Sequence, residues 1–354
     1  MEIPFMRFSS RQITSAAAMM SVFASLNAYS DAVYHVGNSL TDDSKAVERI
    51  AGREGTGTWQ DHGHHLRWNT SLEHIVADPN LTGGGSFDVS HGKFNTALAG
   101  ATWDAVTLQS FTKTVYGTSQ QQPLPNGDGA TIGNEATAAL GLISTTQSNT
   151  ANSGTKFYMY QPWAPRGAIL ADWNNTAVDD DTTPMGVSKA HHNLVYSRVK
   201  AGTAADVSII PTGEVFYRLA LALNNGDLAS EGYGSSSDPN SYELLYRDDL
   251  HASHGSQWDN TLQQNVVDGS NGLGRYAAAA TMYAAIYGDD LSSVDGVDAA
   301  HGSLLSAATT SFVNGIILQV LADDSIMNPV PEPTTGLLVL GAMGGMLLRR
   351  RRSA

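Results

Sequence analysis

Ala32-Val33-Tyr34-His35-Val36 runs directly into Gly37-Asn38-Ser39-Leu40-Thr41-Asp42, and this junction sets the architecture. A short apolar run rich in β-branched and aromatic residues, stopped by glycine and then by small polar residues, reads as a buried strand that turns sharply into a helix. Three later runs have the same character: Asp104-Ala105-Val106-Thr107-Leu108, Lys156-Phe157-Tyr158-Met159-Tyr160 and Asp206-Val207-Ser208-Ile209-Ile210. Each lacks strict polar alternation and is followed by polar or turn residues, as strands covered on both faces are. Helical segments fall between them, around 135–148, 186–201 and 212–224. Further on, Leu273, Tyr276, Ala280, Tyr283 and Tyr287 recur at three-to-four spacing, which gives a helix with one packed face. Alternating strands and helices imply a three-layer α/β/α domain with a parallel sheet of about five strands. No internal repeat or long linker divides the chain between residues 31 and 329, so one domain is expected there. In such a sheet, functional residues lie just beyond the carboxyl ends of the strands.

The two ends read as sorting signals. Residues 1–30 carry Arg7 and Arg11, then an apolar, small-residue run from Ile13 to Leu26 and a small-residue zone near Ser30, which is the pattern of a secretory signal peptide. Residues 330–354 hold Val330-Pro331-Glu332-Pro333, an uncharged stretch from Thr334 to Leu348, and Arg349 to Arg352. This tail resembles the PEP-CTERM sorting signal of Gram-negative bacteria. That resemblance implies export to the cell envelope or beyond, transient membrane anchoring and a partner protease of the exosortase kind. The arginines would stay on the cytoplasmic side; a plain C-terminal membrane anchor is the simpler alternative.

Charge narrows the partners. The chain has 20 basic and 34 acidic residues. Six of the basic residues, Arg7, Arg11 and the terminal four, lie in the two signals with only Glu2 and Glu332, which leaves the part between them near −18. Such a surface repels nucleic acid and acidic lipid. With no cysteine there is no disulfide, thiolate nucleophile or thiolate zinc site.

Two segments carry the candidate chemistry. Ser39 stands in the strand-to-helix turn, where backbone donors face a developing oxyanion; read alone, the same serine is a good helix N-cap. Far downstream, Arg247-Asp248-Asp249-Leu250-His251-Ala252-Ser253-His254 contains an Asp-x-x-His run. An aspartate at that spacing orients an imidazole and stabilises its protonated form. His254 lacks that spacing from Asp248.

Together these segments resemble the SGNH (GDSL-like) hydrolase superfamily, which opens with Gly-Asp/Asn-Ser-Leu/Phe after its first strand and closes with Asp-x-x-His. Gly37 to Leu40 and Asp248 to His251 match in type, order and separation, and the resemblance spans about Val33 to Tyr287. It implies Ser39 as nucleophile, His251 as general base and Asp248 as its orienter, with no cofactor and no metal. The family usually adds a glycine amide and the asparagine of a Gly-x-Asn run as oxyanion donors. Here the matching strand reads Trp103-Asp104-Ala105-Val106-Thr107-Leu108-Gln109-Ser110-Phe111, without Gly-x-Asn. Some SGNH-like families that open with Gly-Asn-Ser carry Trp-Asp-x-Val-x-Leu-Gln at this point, and by that resemblance Gln109 stands in for the asparagine. Gly83-Gly84-Gly85-Ser86-Phe87-Asp88 is the glycine cluster, expected before a short helix, with Gly85 as the amide donor. A strand-end glutamine and a flexible loop are the plainer readings.

The activity so implied is that of an exported serine esterase, acting on ester groups such as acetyl in a small molecule or an extracellular polysaccharide. A non-catalytic glycan-binding or cell-surface matrix protein on the same fold is the alternative. A metal-dependent phosphoesterase built on Asp61-His62-Gly63-His64-His65 is a third reading, set against a solvated loop. His191-His192 is expected inside a helix, packed or facing solvent, and Asp179 to Asp181 in a turn. Aromatic residues near the presumed cleft, notably in Tyr160-Gln161-Pro162-Trp163, suit either sugar stacking or ordinary core packing.

Overall fold

The computed structural model describes residues 32–44, 47, 62–68, 70–80, 84–111, 132–176, 188–246, 251–253, 257–259, 264–266, 272–292, 294 and 305–329, all within the unit Asp31–Ala354. Both terminal signals, Asp179 to Asp181, Asp248 and His254 lie outside the described residues.

The β-branched and aromatic run Val33–Gly37 forms β1, with every residue buried. On one side β1 pairs in parallel with β2 (Gly63–Arg67), and on the other with β4 (Ala105–Gln109). β5 (Lys156–Tyr160) and β6 (Val207–Ile210) continue the parallel ladder. A short β3 (Gly85–Phe87) adds an antiparallel edge next to β2, giving the order β3-β2-β1-β4-β5-β6. Five parallel strands in this order match the doubly wound arrangement expected from the sequence. The sixth strand is a finding: Gly85, expected as an amide donor ahead of a short helix, opens β3, and the helix that follows begins only at Phe94. A side chain at Gly85 would run into the Leu66 carbonyl, so only glycine lets β3 approach β2 this closely.

Helices cover both faces. On one, Tyr34, Val36, Val106, Leu108, Phe157, Met159, Val207 and Ile209 pack against residues of α2 (Leu72–Ala77), α3 (Phe94–Gly100), α4 (Ile132–Gln147) and α6 (Lys189–Gly202). Between α4 and α6 lies the short α5 (Ile169–Asp172). On the other face, Val33, Ala105, Tyr158, Tyr160 and Ile210 meet α1 (Ser39–Ser44), α7 (Thr212–Asn225), α8 (Leu273–Tyr287) and α9 (Ala307–Leu321). The tyrosine-rich helix α8 was expected to pack along one face; instead 13 of its 15 residues are buried. The reason is α9, which covers the side away from the sheet and is tied to α8 by Tyr276 donating to Asn314 Oδ1 at 2.5 Å. The alanine run 277–280 keeps α8 thin enough to fit between the two layers. Among the described residues no helix is long and apolar enough to cross a membrane.

Candidate functional site

The carboxyl end of β1 is built as a braced turn. A side chain at Gly37 would overlap the Gln109 side chain and the Thr41 hydroxyl, so glycine is required by close approach. The fully buried Asn38 caps α1: its Oδ1 accepts the Leu40 N–H at 2.9 Å, and its Nδ2 donates to the Thr70 carbonyl at 3.1 Å. Gln109, at the end of the neighbouring β4, completes the brace. Its Oε1 accepts the N–H groups of Asn38 (3.1 Å) and Thr41 (3.0 Å) and the Thr41 hydroxyl, while its Nε2 donates to Asn38 Oδ1 at 2.7 Å. Three of the N–H groups that open α1 are therefore occupied. The Ser39 N–H and hydroxyl carry no hydrogen bond among the described residues, and Ser39 is partly exposed between buried Asn38 and Leu40. The turn thus offers a single serine, with its own amide, at the carboxyl edge of the sheet.

His251 is partly buried in the segment that leads to α8. A β-bridge between Tyr246 and Ala252 closes the loop that carries it. Ser253 then docks on the start of α8: its Oγ accepts the Gly274 N–H and its carbonyl the Arg275 N–H, both at 2.8 Å. The loop is also joined to α1, because the Ala252 N–H donates to Asp43 Oδ2 at 3.0 Å. Asp43 lies one helical turn after Ser39. Arg275 adds Nε on the Asp43 carbonyl at 3.2 Å and Nη2 at 3.5 Å from its carboxylate. The two distant sequence blocks therefore reach the same short helix. No direct hydrogen bond joins Ser39 Oγ to His251 among the described residues.

Gly85 is not brought to this turn. It faces Arg67 across the β2–β3 ladder, two strands from β1 and so roughly 10 Å away. Gln109 is adjacent, but what it does in the structure is brace the turn, a role not foreseen from the sequence.

Glu135, fully buried in α4, was also not foreseen. Its carboxylate accepts the N–H groups of Leu72 (3.3 Å), Glu73 (3.0 Å) and Phe111 (3.0 Å), joining the start of α2 to the segment after β4. Burial pushes this carboxyl up to about 7, against the pull of those three donors. Tyr160 lies across from Ser44, with their oxygens 2.5 Å apart, and burial raises its hydroxyl far above the usual range.

The histidine-rich segment 62–65 is not a solvated loop but the start of β2, and strand alternation separates its side chains. His62 Nδ1 lies 3.2 Å from His35 Nε2, and its Nε2 3.0 Å from the Tyr287 hydroxyl. His65 points to the opposite face, where its Nδ1 accepts the Phe94 N–H; burial lowers it to about 4. Among the described residues no group of three side chains could hold a metal ion. His191 and His192 are buried in α6. His192 Nδ1 meets the Ser110 hydroxyl at 3.1 Å, while its Nε2 and both nitrogens of His191 have no partner. Trp163 and Trp173 are core residues, the former stacked on Phe216 with centroids 4.2 Å apart, whereas Trp68, just after β2, is exposed.

A second Asp-x-x-His run lies at the other end of the sheet. Asp88 follows β3, which runs opposite to its neighbours, and its Oδ2 meets His91 Nδ1 at 2.6 Å and the His91 N–H at 2.8 Å. The His91 ring packs on Trp103, just before β4, and Tyr34 in β1 donates to the Gly92 carbonyl. This pair therefore sits by the amino ends of the parallel strands.

In comparisons with known proteins, no family model matches this chain, and no curated protein matches it. Among solved structures, a DUF4886 family protein from Bacteroides uniformis is similar over 82% of this chain and 95% of its own, with 17% sequence identity and a TM-score of 0.45.

Proposed function

We propose that this protein is a serine ester hydrolase of the SGNH type, with Ser39 as nucleophile, His251 as general base and Asp248 as the orienter of its imidazole. The observation that carries the reading is the unoccupied, partly exposed Ser39 hydroxyl and amide in a turn whose other donors are satisfied, on the helix that also receives the His251 loop. Ser39 Oγ adds to an ester carbonyl carbon while its proton passes to His251. The bond to the leaving alcohol then breaks as His251 returns that proton, and water repeats the sequence on the acyl-serine. The Ser39 N–H faces the oxyanion, with the second amide hydrogen of Gln109 as a further donor. Gly85, at the sheet's edge, is assigned no part in this step.

The substrate class rests on the export signals and the acidic surface, which favour an uncharged, ester-bearing carbohydrate outside the cytoplasm. Exposed Trp68, which follows β2 and packs by Gly84, offers a stacking surface for a sugar ring. The test is hydrolysis of p-nitrophenyl acetate by the full chain. The Ser39→Ala variant is expected to lose about 10³-fold or more in kcat/KM, and equal rates for the two proteins would sink the proposal. One observation favours the non-catalytic reading, a glycan-binding or matrix protein: an amide hydrogen of Gln109 is already committed to Asn38. Equal rates together with retained polysaccharide binding would establish that alternative.

A further inference from the structure

The segment that carries His251 is anchored to α8 and to the residues before it, and it also reaches the helix that carries Ser39. The Tyr246–Ala252 bridge, the Ser253–Leu245 backbone bond and the two bonds from Gly274 and Arg275 to Ser253 all hold the loop to its own surroundings. Of these, the Arg275 bond also leads to the Ser39 helix, because the Arg275 side chain reaches Asp43. Among the described residues, the direct hydrogen bond from the loop to that helix is the Ala252 N–H on Asp43 Oδ2, one residue beyond His251 and one helical turn beyond Ser39.

Asp43 is a buried carboxylate, 3% exposed, on a short helix of an acidic protein. An ionised group there needs a charged partner and hydrogen-bond donors to remain buried. Arg275 supplies the charge, and it reaches both the carboxylate and the main-chain carbonyl of Asp43. Arg275 is also the residue whose own N–H holds Ser253. One arginine therefore grips the base-bearing loop through its backbone and the serine-bearing helix through its side chain, while the aspartate touches both.

We propose that Asp43, held by Arg275, is a positioning residue that sets the approach of the His251 imidazole to the Ser39 hydroxyl. The proposal rests on the hydrolase reading above, and it adds a second carboxylate to the site, one that touches neither substrate nor imidazole. Shortening it removes the Ala252 bond and the carboxylate contact of Arg275 while the Arg275 bond to the Asp43 carbonyl remains, which loosens the His251 loop against α1. A displacement on the order of 1 Å at such a pair lowers turnover about 10²-fold.

The experiment uses the full chain and two readouts, p-nitrophenyl acetate hydrolysis and hydrogen exchange at the Ala252 amide. Asp43→Ala is expected to lower kcat about 10²-fold, with KM within about twofold, and to speed Ala252 exchange by about tenfold or more. Asp43→Asn keeps an oxygen acceptor for Ala252, so it holds exchange slow and recovers a large part of kcat. Should Asp43→Ala fail to fold, Arg275→Gln takes its place, with roughly a tenfold loss in kcat and faster exchange at Ala252. Unchanged kcat, a loss confined to KM, or Ala252 exchange as slow as in the native chain overturns the proposal. Native hydrolysis that survives Ser39→Ala instead removes the hydrolase reading, and with it the catalytic role of Asp43; the exchange measurement then reports on the tether alone.

Discussion

Two Asp-x-x-His runs lie in this chain, Asp88 to His91 and Asp248 to His251; the first packs by the amino ends of the parallel strands, whereas His251 of the second stands next to a residue bonded to the Ser39 helix. The first shows its aspartate–imidazole bond directly, at 2.6 Å. It nonetheless lies away from the proposed nucleophile. Because β3 is antiparallel, Asp88 emerges at the amino ends of the parallel strands, beside Trp103 and under Tyr34, while Ser39 stands at their carboxyl ends. The residue after His251, Ala252, is bonded to the helix that bears Ser39. Identical spacing thus serves a local loop in one case and a candidate base in the other, and strand direction makes the difference. A motif of this kind acquires meaning only from the edge of the sheet to which it is delivered.

That contrast is easiest to break with a pair of alanine variants. His251→Ala is expected to lower p-nitrophenyl acetate turnover about 10³-fold or more, whereas His91→Ala leaves it within about twofold. A larger loss for His91→Ala than for His251→Ala would reverse the assignment of the two runs. Next in size is the brace behind the nucleophile. Gln109→Ala leaves the buried N–H groups of Asn38 and Thr41 without their acceptor, at about 1–3 kcal/mol each. A fall of roughly 2–4 kcal/mol in unfolding free energy, read from the urea midpoint, is expected, together with a comparable loss of Ser39-dependent hydrolysis. A Gln109→Ala chain as stable as the native one would mean that the turn holds itself.

A third comparison sets the bonded imidazole of His91 against the buried ones of α6, of which only His192 Nδ1 has a hydrogen-bond partner among the described residues. Burial lowers His191 to about 4 and His192 well below its usual range, and it lowers His65 to about 4 as well. Unfolding returns each to the ordinary range near 6.5. For groups depressed in the folded state, stability is fully present above that range and is lost as pH falls through it towards 4. Glu135, raised to about 7, works in the opposite sense between its ordinary value near 4.5 and 7. Several imidazoles against one carboxyl leave a net uptake of at least one proton on unfolding, or about 1.4 kcal/mol lost per pH unit between pH 6.5 and 4.5. Urea titrations at several pH values check this, and His191→Leu is expected to flatten the slope. A slope of the opposite sign would mean that Glu135 outweighs the histidines.

What could be read from the sequence follows physical lines. β1, β4, β5 and β6 announce themselves because buried parallel strands are continuous apolar runs, and Gly37-Asn38-Ser39 marks where the first of them turns. β2 gives no such signal: Gly63-His64-His65-Leu66-Arg67 holds two histidines and an arginine in five residues, and its burial comes from long-range contacts such as those of His62 with His35 and of His65 with Phe94. Gly85 looked like an anion-binding loop because a glycine cluster fits both that role and an edge strand packed close to its neighbour. The serine and the Asp248 to His251 spacing are local patterns and were legible; the same spacing at Asp88 to His91 emerged from the structure. Asp43, Glu135 and the bracing role of Gln109 were not, since each acts on segments between 24 and 232 positions away, and nothing in the neighbouring residues marks the partner.

The smallest effect concerns the pair at the amino edge itself. Asp88 accepts two bonds from His91, and each side chain keeps only about a fifth of its exposure. Burial alone would raise the Asp88 carboxyl; the bonds from the His91 amide and ring and from the Ser90 amide hold it below its usual value instead. Its stabilising share is therefore present above the ordinary aspartate range and disappears as pH falls below it. Partial solvent screening reduces the pair to about 1 kcal/mol. Asp88→Asn is expected to lower the urea midpoint by that small amount at pH 7, to lose the difference from the native chain below about pH 3, and to leave ester hydrolysis untouched. A change in turnover from Asp88→Asn would show that the two ends of the sheet are coupled, and strand direction alone would no longer account for the difference between the two runs.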